Sequence, residues 1–227
     1  MQFQAGLIKV SGMANVTTTP ASRGRGRLPD PQRTAQTREL ILRSALATFL
    51  ERGFEGTRMA DVAAGAGLAK GTLYLHFADK EALFEFVLQQ LISEPLARIR
   101  AELSPPDEGV RAKLERLFLP LLRDLEGSGR ATVLRLIIAE GSRFPTLAAI
   151  HRRLVIEPMM ELVLEAVSGH DRLEPIARFP QLMGAPVVMA AVWNGLWSAG
   201  AKLDPAAMFT AFLDLVFGPQ TGPDQAR

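Results

Sequence analysis

Lys70, Thr72 and Tyr74 place an ammonium, a hydroxyl and a phenol within one short stretch, directly behind the turn sequence Gly65-Ala66-Gly67. Carried on a helix, such groups are suited to hydrogen bonds with phosphate oxygens and base edges, the two kinds of contact that hold and read a duplex. Their spacing predicts a single groove-facing surface presenting all three, with Leu73 and Phe77 on the opposite, buried side. Arg58 and the Thr57 hydroxyl stand where a preceding short helix would begin, and free N–H groups and the dipole favour a phosphate there. Gly71 would let the reading helix come close to DNA.

These residues need elements to position them. Thr57 is a candidate cap for a short helix whose buried side is Val62 and Ala63; Gly65-Ala66-Gly67 then turns the chain into a second short helix starting near Lys70. Upstream, the pairs Ile41/Leu42, Ala45/Leu46 and Phe49/Leu50 form a helical stripe from Ala35 that ends at Gly53, a glycine suited to a C-cap. Downstream, Asp79 is placed to cap a fourth helix, Lys80–Leu103, carrying Leu83, Phe84, Val87, Leu88 and Leu91. Pro105-Pro106 punctuates the chain after it.

The stretch from Thr57 to Phe77, with Lys80-Glu81-Ala82-Leu83 behind it, resembles the amino-terminal domain of the tetracycline-repressor (TetR) family of bacterial transcription regulators. The shared pattern runs through the small-residue turn into Gly71-Thr72-Leu73-Tyr74, then His76-Phe77 and Lys80-Glu81. The resemblance implies that Lys70 and Thr72 contact base edges or phosphates and that Tyr74, His76 and Lys80 grip phosphates. One departure is Ala69, where the family usually has a Ser or Thr as cap of the reading helix. Val133–Pro145 also resembles the start of the carboxy-terminal domain of AefR-like and AcrR-like members. The implied fold is all-α, a three-helix helix-turn-helix head on a helical body, about nine helices in total.

The rest of the chain reads as helix. Segments Asp107–Leu125, Ala131–Glu140, Pro145–Val167 with a kink at Pro158, Pro186–Ser198 and Pro205–Phe217 carry helical periodicity, and Asp204 and Gly218 punctuate the last of them. The division expected is a disordered basic arm over 1–34, the DNA-binding head over 35–80, an effector-binding and dimerisation body over 81–218, and a disordered tail over 219–227. An apolar effector is expected between body helices, against Phe118, Leu121, Leu134, Ile137, Ile138, Met159, Met160, Val163, Trp193 and Asn194. The last two helices exceed the apolar content one core layer needs. Ala190, Ala191, Gly195, Trp197, Phe209, Phe212, Leu213 and Val216 are therefore expected at a homodimer interface, which by the resemblance is a four-helix bundle.

Charge is unevenly spread. Residues 1–34 carry five Lys/Arg against one Asp, a balance of +4 in a chain whose formal net charge is +2. Arg23, Arg25 and Arg27 in this arm are candidates for phosphate or minor-groove contact. The head between Ala35 and Gln90 has six Lys/Arg against seven Asp/Glu, so it must bind by placing a few cations well rather than by a broad field.

Several function classes are excluded or disfavoured. With no cysteine, disulfide frameworks, zinc-thiolate sites and cysteine nucleophiles are impossible. Only His76, His151 and His170 are present, and there is no His-Glu-x-x-His helix, phosphate-binding Gly loop or Gly-x-Ser-x-Gly elbow, so neither an enzyme nor a cofactor is expected. Glu140 with His151 is a conceivable metal pair, outweighed by surface or core roles. Residues 182–200 approach the ~20 apolar residues of a membrane span, yet Pro186, Asn194 and the many Gly and Ala favour a buried interface helix. The expectation is a cytoplasmic, ligand-responsive repressor that binds a palindromic double-stranded DNA operator as a homodimer. A regulator with no small-molecule effector is the alternative, with a membrane-associated helical protein ranked lower.

Overall fold

Ile41, Ala45 and Phe49 recur every fourth residue and are buried along one side of α1 (Pro31–Gly56). The computed structural model describes residues 31–102, 109–197 and 200–219. α1 starts at Pro31, so its first turn takes in residues expected to belong to the arm; Arg23, Arg25 and Arg27 lie outside the described residues. The helix breaks at Gly53, whose φ of 67° is the left-handed conformation that only glycine takes without strain. α2 (Met59–Gly65) buries Met59, Val62 and Ala63 against α1, and the Ser44 hydroxyl donates to the Val62 carbonyl at 2.7 Å. α3 (Lys70–His76) buries only Leu73.

The chain then enters a long helical run broken by a π turn. α4 (Lys80–Leu88) is capped by Asp79, whose carboxylate accepts from the Ala82 N–H at 2.7 Å. A π turn over Gln89–Ser93 leads into α5 (Glu94–Glu102). After α6 (Val110–Leu122) and α7 (Arg130–Glu140), a second such run joins α8 (Pro145–His151), a π turn over Arg152–Ile156 and α9 (Glu157–Val167). Prolines account for both π turns. Pro95 and Pro158 have no N–H to give to the carbonyls of Leu91 and Leu154, four residues back. Side chains take those acceptors instead: Arg130 Nε donates to the Leu91 carbonyl at 2.7 Å, and Ser93 Oγ to the Leu154 carbonyl at 3.0 Å. The irregularity expected at Pro158 thus lies in the turn before it, and the two π turns pack on one another.

α10 (Glu174–Arg178), α11 (Ala185–Leu196) and α12 (Pro205–Phe217) complete the body, α12 being capped by the Asp204 carboxylate and ended by Gly218 at φ 85°. Twelve α-helical segments occur among the described residues, against about nine expected from periodicity, because the π turns split two long helices and the region after Val167 holds a short one. No single described helix is long and apolar enough to cross a membrane. Asp171–Arg178 and Pro180–Leu196 reach that composition only as a pair bent by 80°.

Two apolar clusters hold the molecule. The first joins Phe49, Phe54, Phe84 and Leu88 to Val133, Leu136, Leu147 and Ile150 of α7 and α8, so head and lower body share one core. The second packs Leu114, Phe118, Val163, Met183, Phe209 and Leu213. Head and body are thus joined by a shared core as well as by the continuous run of chain through α4.

Candidate nucleic-acid interface

Leu73 is the only fully buried residue of α3 and fixes how the helix faces outward. At about 100° per residue, the positions two before and two after it, Gly71 and Leu75, point away from the core. Open space surrounds Gly71, and Leu75 is 87% exposed. Lys70 and Tyr74 share one flank, with the ammonium 5.8 Å from the ring centroid. Thr72 is half-buried on the other flank. A single surface through Lys70, Thr72 and Tyr74 is therefore not formed, since alternate residues on a helix turn by about 200°. Gly71 and Leu75 form the centre of the outward face, with Tyr74 and Thr72 at its edges. Leu75 was missed, although its spacing of four from Gly71 carries that information. His76 is exposed at the end of the helix, with its ring 6.3 Å from that of Phe77. Ala69 occupies the N-cap position and makes no side-chain capping bond.

Two residues expected on DNA are held inside the head. The N-cap of α2 is the exposed Arg58, whereas Thr57 is only 3% exposed and its hydroxyl donates to the Gly53 carbonyl at 2.6 Å. Lys80 donates to the carbonyls of Phe54 and Glu55 at 3.0 and 3.2 Å, with its ammonium 4.5 Å from the Phe54 ring centroid. Both correct the sequence reading for the same reason: the reversal at Gly53 leaves carbonyls that need donors, and these side chains supply them. From the body, the Glu140 carboxylate accepts from the N–H groups of Phe54 and Glu55 at 3.0 and 3.2 Å. Glu140 is thereby a clamp on the head, while His151 faces the body cavity, so the pair does not meet as metal ligands would.

Two adjoining cavities open in the body, of about 480 and 130 Å³, sharing Phe118, Ile156, Met159, Gly184 and Val188. Of the residues assigned to an effector site, Met160 and Val163 line the larger one, and Leu121 and Leu134 the smaller one. Four expected lining residues are elsewhere. Ile137 packs against the core shared with the head, Ile138 is 49% exposed, and Trp193 faces outward. Asn194 exchanges two hydrogen bonds with the Leu203 backbone, at 2.9 and 2.8 Å, pinning the connection into α12. The smaller cavity instead includes Arg130 and His151, which sequence reasoning did not place there. Burial pushes the His151 imidazole from its ordinary 6.5 down to about 4, so it is neutral at pH 7, and burial also lowers the Arg130 guanidinium.

On the outer side, the phase of α11 and α12 differs from expectation. Ala190, Ala191, Phe209 and Leu213 are fully buried within the chain, because they seal its own second core layer. Gly195 lies against the Arg135 side chain, and Phe212 and Val216 are half-buried against the same core. Of the expected interface residues Trp197 is exposed, its indole ring 4.9 Å from that of Trp193, and Met189, Trp193, Leu196 and Leu215 are exposed alongside it.

Comparison with known proteins places this geometry. A family model described as "Bacterial regulatory proteins, tetR family" matches residues 41–87. The transcriptional repressor DhaR of Mycobacterium sp. strain GP1 is 32% identical over 92 residues, covering 40% of this chain and 46% of DhaR. The regulator UidR of Escherichia coli K12 is 34% identical over 113 residues, covering 50% and 56%. The chain thus spans about half the length of these relatives. Among solved structures, a transcriptional regulator from Rhodococcus sp. Rha1 has a TM-score of 0.62 at 22% identity, covering 79% of this chain and 95% of that one. FadR of Bacillus subtilis, solved in complex with stearoyl-CoA, has a TM-score of 0.62 at 18% identity, covering 80% and 98%. The relatives share the sequence of the head, of which residues 41–87 match the tetR family of bacterial regulatory proteins, and the solved structures share the fold of head and body together.

Proposed function

We propose that the chain is a transcriptional repressor that binds a palindromic operator as a homodimer and releases it when an apolar effector enters the body. The observation that carries this reading is the outward face of α3, with Gly71 and Leu75 at its centre and Lys70, Tyr74 and Thr72 around them, raised on a packed helix-turn-helix. Arg58, exposed at the start of α2, is assigned to a backbone phosphate. The apolar strip of Met189, Trp193, Leu196, Trp197 and Leu215 supports pairing with a second copy, which would set two reading helices about 34–36 Å apart, one helical turn of DNA.

The cavity beside Phe118 and Met159 supports a small effector, and the stearoyl-CoA complex of FadR is an instance of a long acyl ligand with a protein of this fold. Selection of binding sites from randomised duplexes tests the reading. Enrichment of an inverted repeat is expected; recovery of no common sequence overturns it.

A further inference from the structure

Arg130 occupies an unusual position at the start of α7. It lines the smaller cavity, and its guanidinium donates only to neutral partners in the bonds seen here: the carbonyls of Leu91 at 2.7 Å and Leu121 at 3.3 Å, and the Ser128 hydroxyl at 3.2 Å. His151 lines the same cavity, and the remaining residues around it are apolar or glycine. Among the described residues, no carboxylate lines either cavity. The larger chamber, continuous with the first through Phe118 and Met159, has Gln181 as its one polar side chain among the described residues. A site with a cation and a neutral imidazole at one end and an apolar chamber at the other is matched to an amphiphile. Of the possible heads, a carboxylate gains most, since it accepts two parallel N–H bonds from a guanidinium and a third from an imidazole.

We propose that the effector is an aliphatic carboxylic acid whose head is held by Arg130 and His151 and whose chain fills the Phe118–Met159–Met160 chamber, and that Arg130, once turned to the acid, lets go of Leu91. This rests on the effector reading above and names both the ligand class and the route of regulation. Leu91 lies in the π turn Gln89–Ser93, within the helical run that leads from the reading head into the body. Its carbonyl has no donor four residues on, because that residue is Pro95, and Arg130 Nε supplies the bond. Losing a hydrogen bond at a carbonyl in this part-buried turn is unfavourable, so the turn must rearrange or take up water when Arg130 leaves. Ile92 of the same turn also lines the cavity, so ligand contact and loss of the strut act on one element. By linkage, operator must weaken acid binding by the factor that acid weakens operator binding.

The test uses the full chain and titrates straight-chain fatty acids from octanoic to palmitic acid, their methyl esters and palmitoyl-CoA by calorimetry, in the absence of DNA. At least one acid should bind about tenfold or more tighter than its ester, as the loss of hydrogen bonds to a charged group implies. Arg130→Gln and His151→Leu should each bring acid and ester to within about threefold of one another, chiefly by weakening the acid. His151 holds no strut, so its variant keeps the test alive where Arg130→Gln fails to fold. Hydrogen exchange at the amides of residues 89–96 should rise with the bound acid. Equal affinities for acid and ester, preference for palmitoyl-CoA alone, discrimination that survives both substitutions, unchanged exchange in the π turn, or binding of none of the series would each overturn the proposal. None of these results bears on operator selection, so the DNA-binding reading fails or stands separately.

Discussion

Leu75 and Lys80 show how far a residue's role depends on its direction. Leu75 projects from the centre of the outward face of α3, where, on the proposed docking to DNA, an aliphatic side chain can meet the methyl group of thymine but no hydrogen-bonding edge. Once an operator has been selected, replacing its thymines with uracil one at a time should weaken wild-type binding several-fold at one or more positions, and Leu75→Ala should abolish that sensitivity. Anisotropy titrations read both, and a wild-type protein indifferent to every methyl would refute the assignment. Lys70→Ala should reduce the slope of log affinity against log salt by about one, as loss of one phosphate contact does. Lys80→Met should leave the slope unchanged while lowering the unfolding free energy by about 1–3 kcal/mol, because Lys80 satisfies two carbonyls at the end of α1. A reduced slope for Lys80→Met would return that residue to the DNA surface.

The elements themselves carry two devices open to test. The N-cap of α3 is Ala69, with φ −65° and ψ 142°, a conformation in which serine could accept from the N–H two or three residues on. Ala69→Ser should stabilise the protein by about 1 kcal/mol in a denaturant titration; no gain would mean the cap is already satisfied in another way. The end of α7 is the second device. Glu140 holds the Phe54 and Glu55 N–H groups across the Gly53 reversal, 86 and 85 residues away in the chain. Glu140→Ala leaves those groups unpaired, so it is expected to lower stability by about 1–3 kcal/mol and to loosen the head with respect to α7. Faster amide exchange at residues 53–56 measures the loosening.

For the whole molecule, folding couples to pH through His151. Its imidazole is held at about 4 by burial against an ordinary 6.5, so the unfolded chain takes up a proton that the folded one refuses. The stability this affects is intact above pH 6.5 and falls as pH drops towards 4, by up to about 3 kcal/mol. Glu126, lowered chiefly by its hydrogen bond with Arg135, has the same sign, its share being lost as pH falls through its depressed value. His151→Leu should flatten the stability curve between those limits, and an unaltered curve would mean that the imidazole is wet. The two sides of α11 differ as sharply. Trp193→Glu, on the exposed side, should yield a folded monomer by light scattering, whereas Ala191→Glu, fully buried, should prevent folding. A dimeric Trp193→Glu protein would show that the strip is not the interface.

The sequence alone determined the features that depend on neighbours along the chain. Helical periodicity, the break at Gly53, the caps at Asp79 and Asp204, the missing cap at Ala69 and the turn between α2 and α3 are all legible because each involves residues within a few positions of one another. Tertiary structure decided everything that joins distant segments. Thr57 and Lys80 match a DNA-binding pattern yet are consumed by the carbonyls of the α1 reversal. Ile137, Ile138, Trp193 and Asn194 carry the right chemistry for a pocket but lie on faces set by packing, while Arg130 reaches the cavity and Leu91 from 39 residues away. Periodicity tells which residues of α11 share a side. Which side meets the chain's own core and which is left for a second copy is fixed only when α6, α9 and α12 close around Met183 and Phe209, since burial is a property of the assembled layers rather than of the helix.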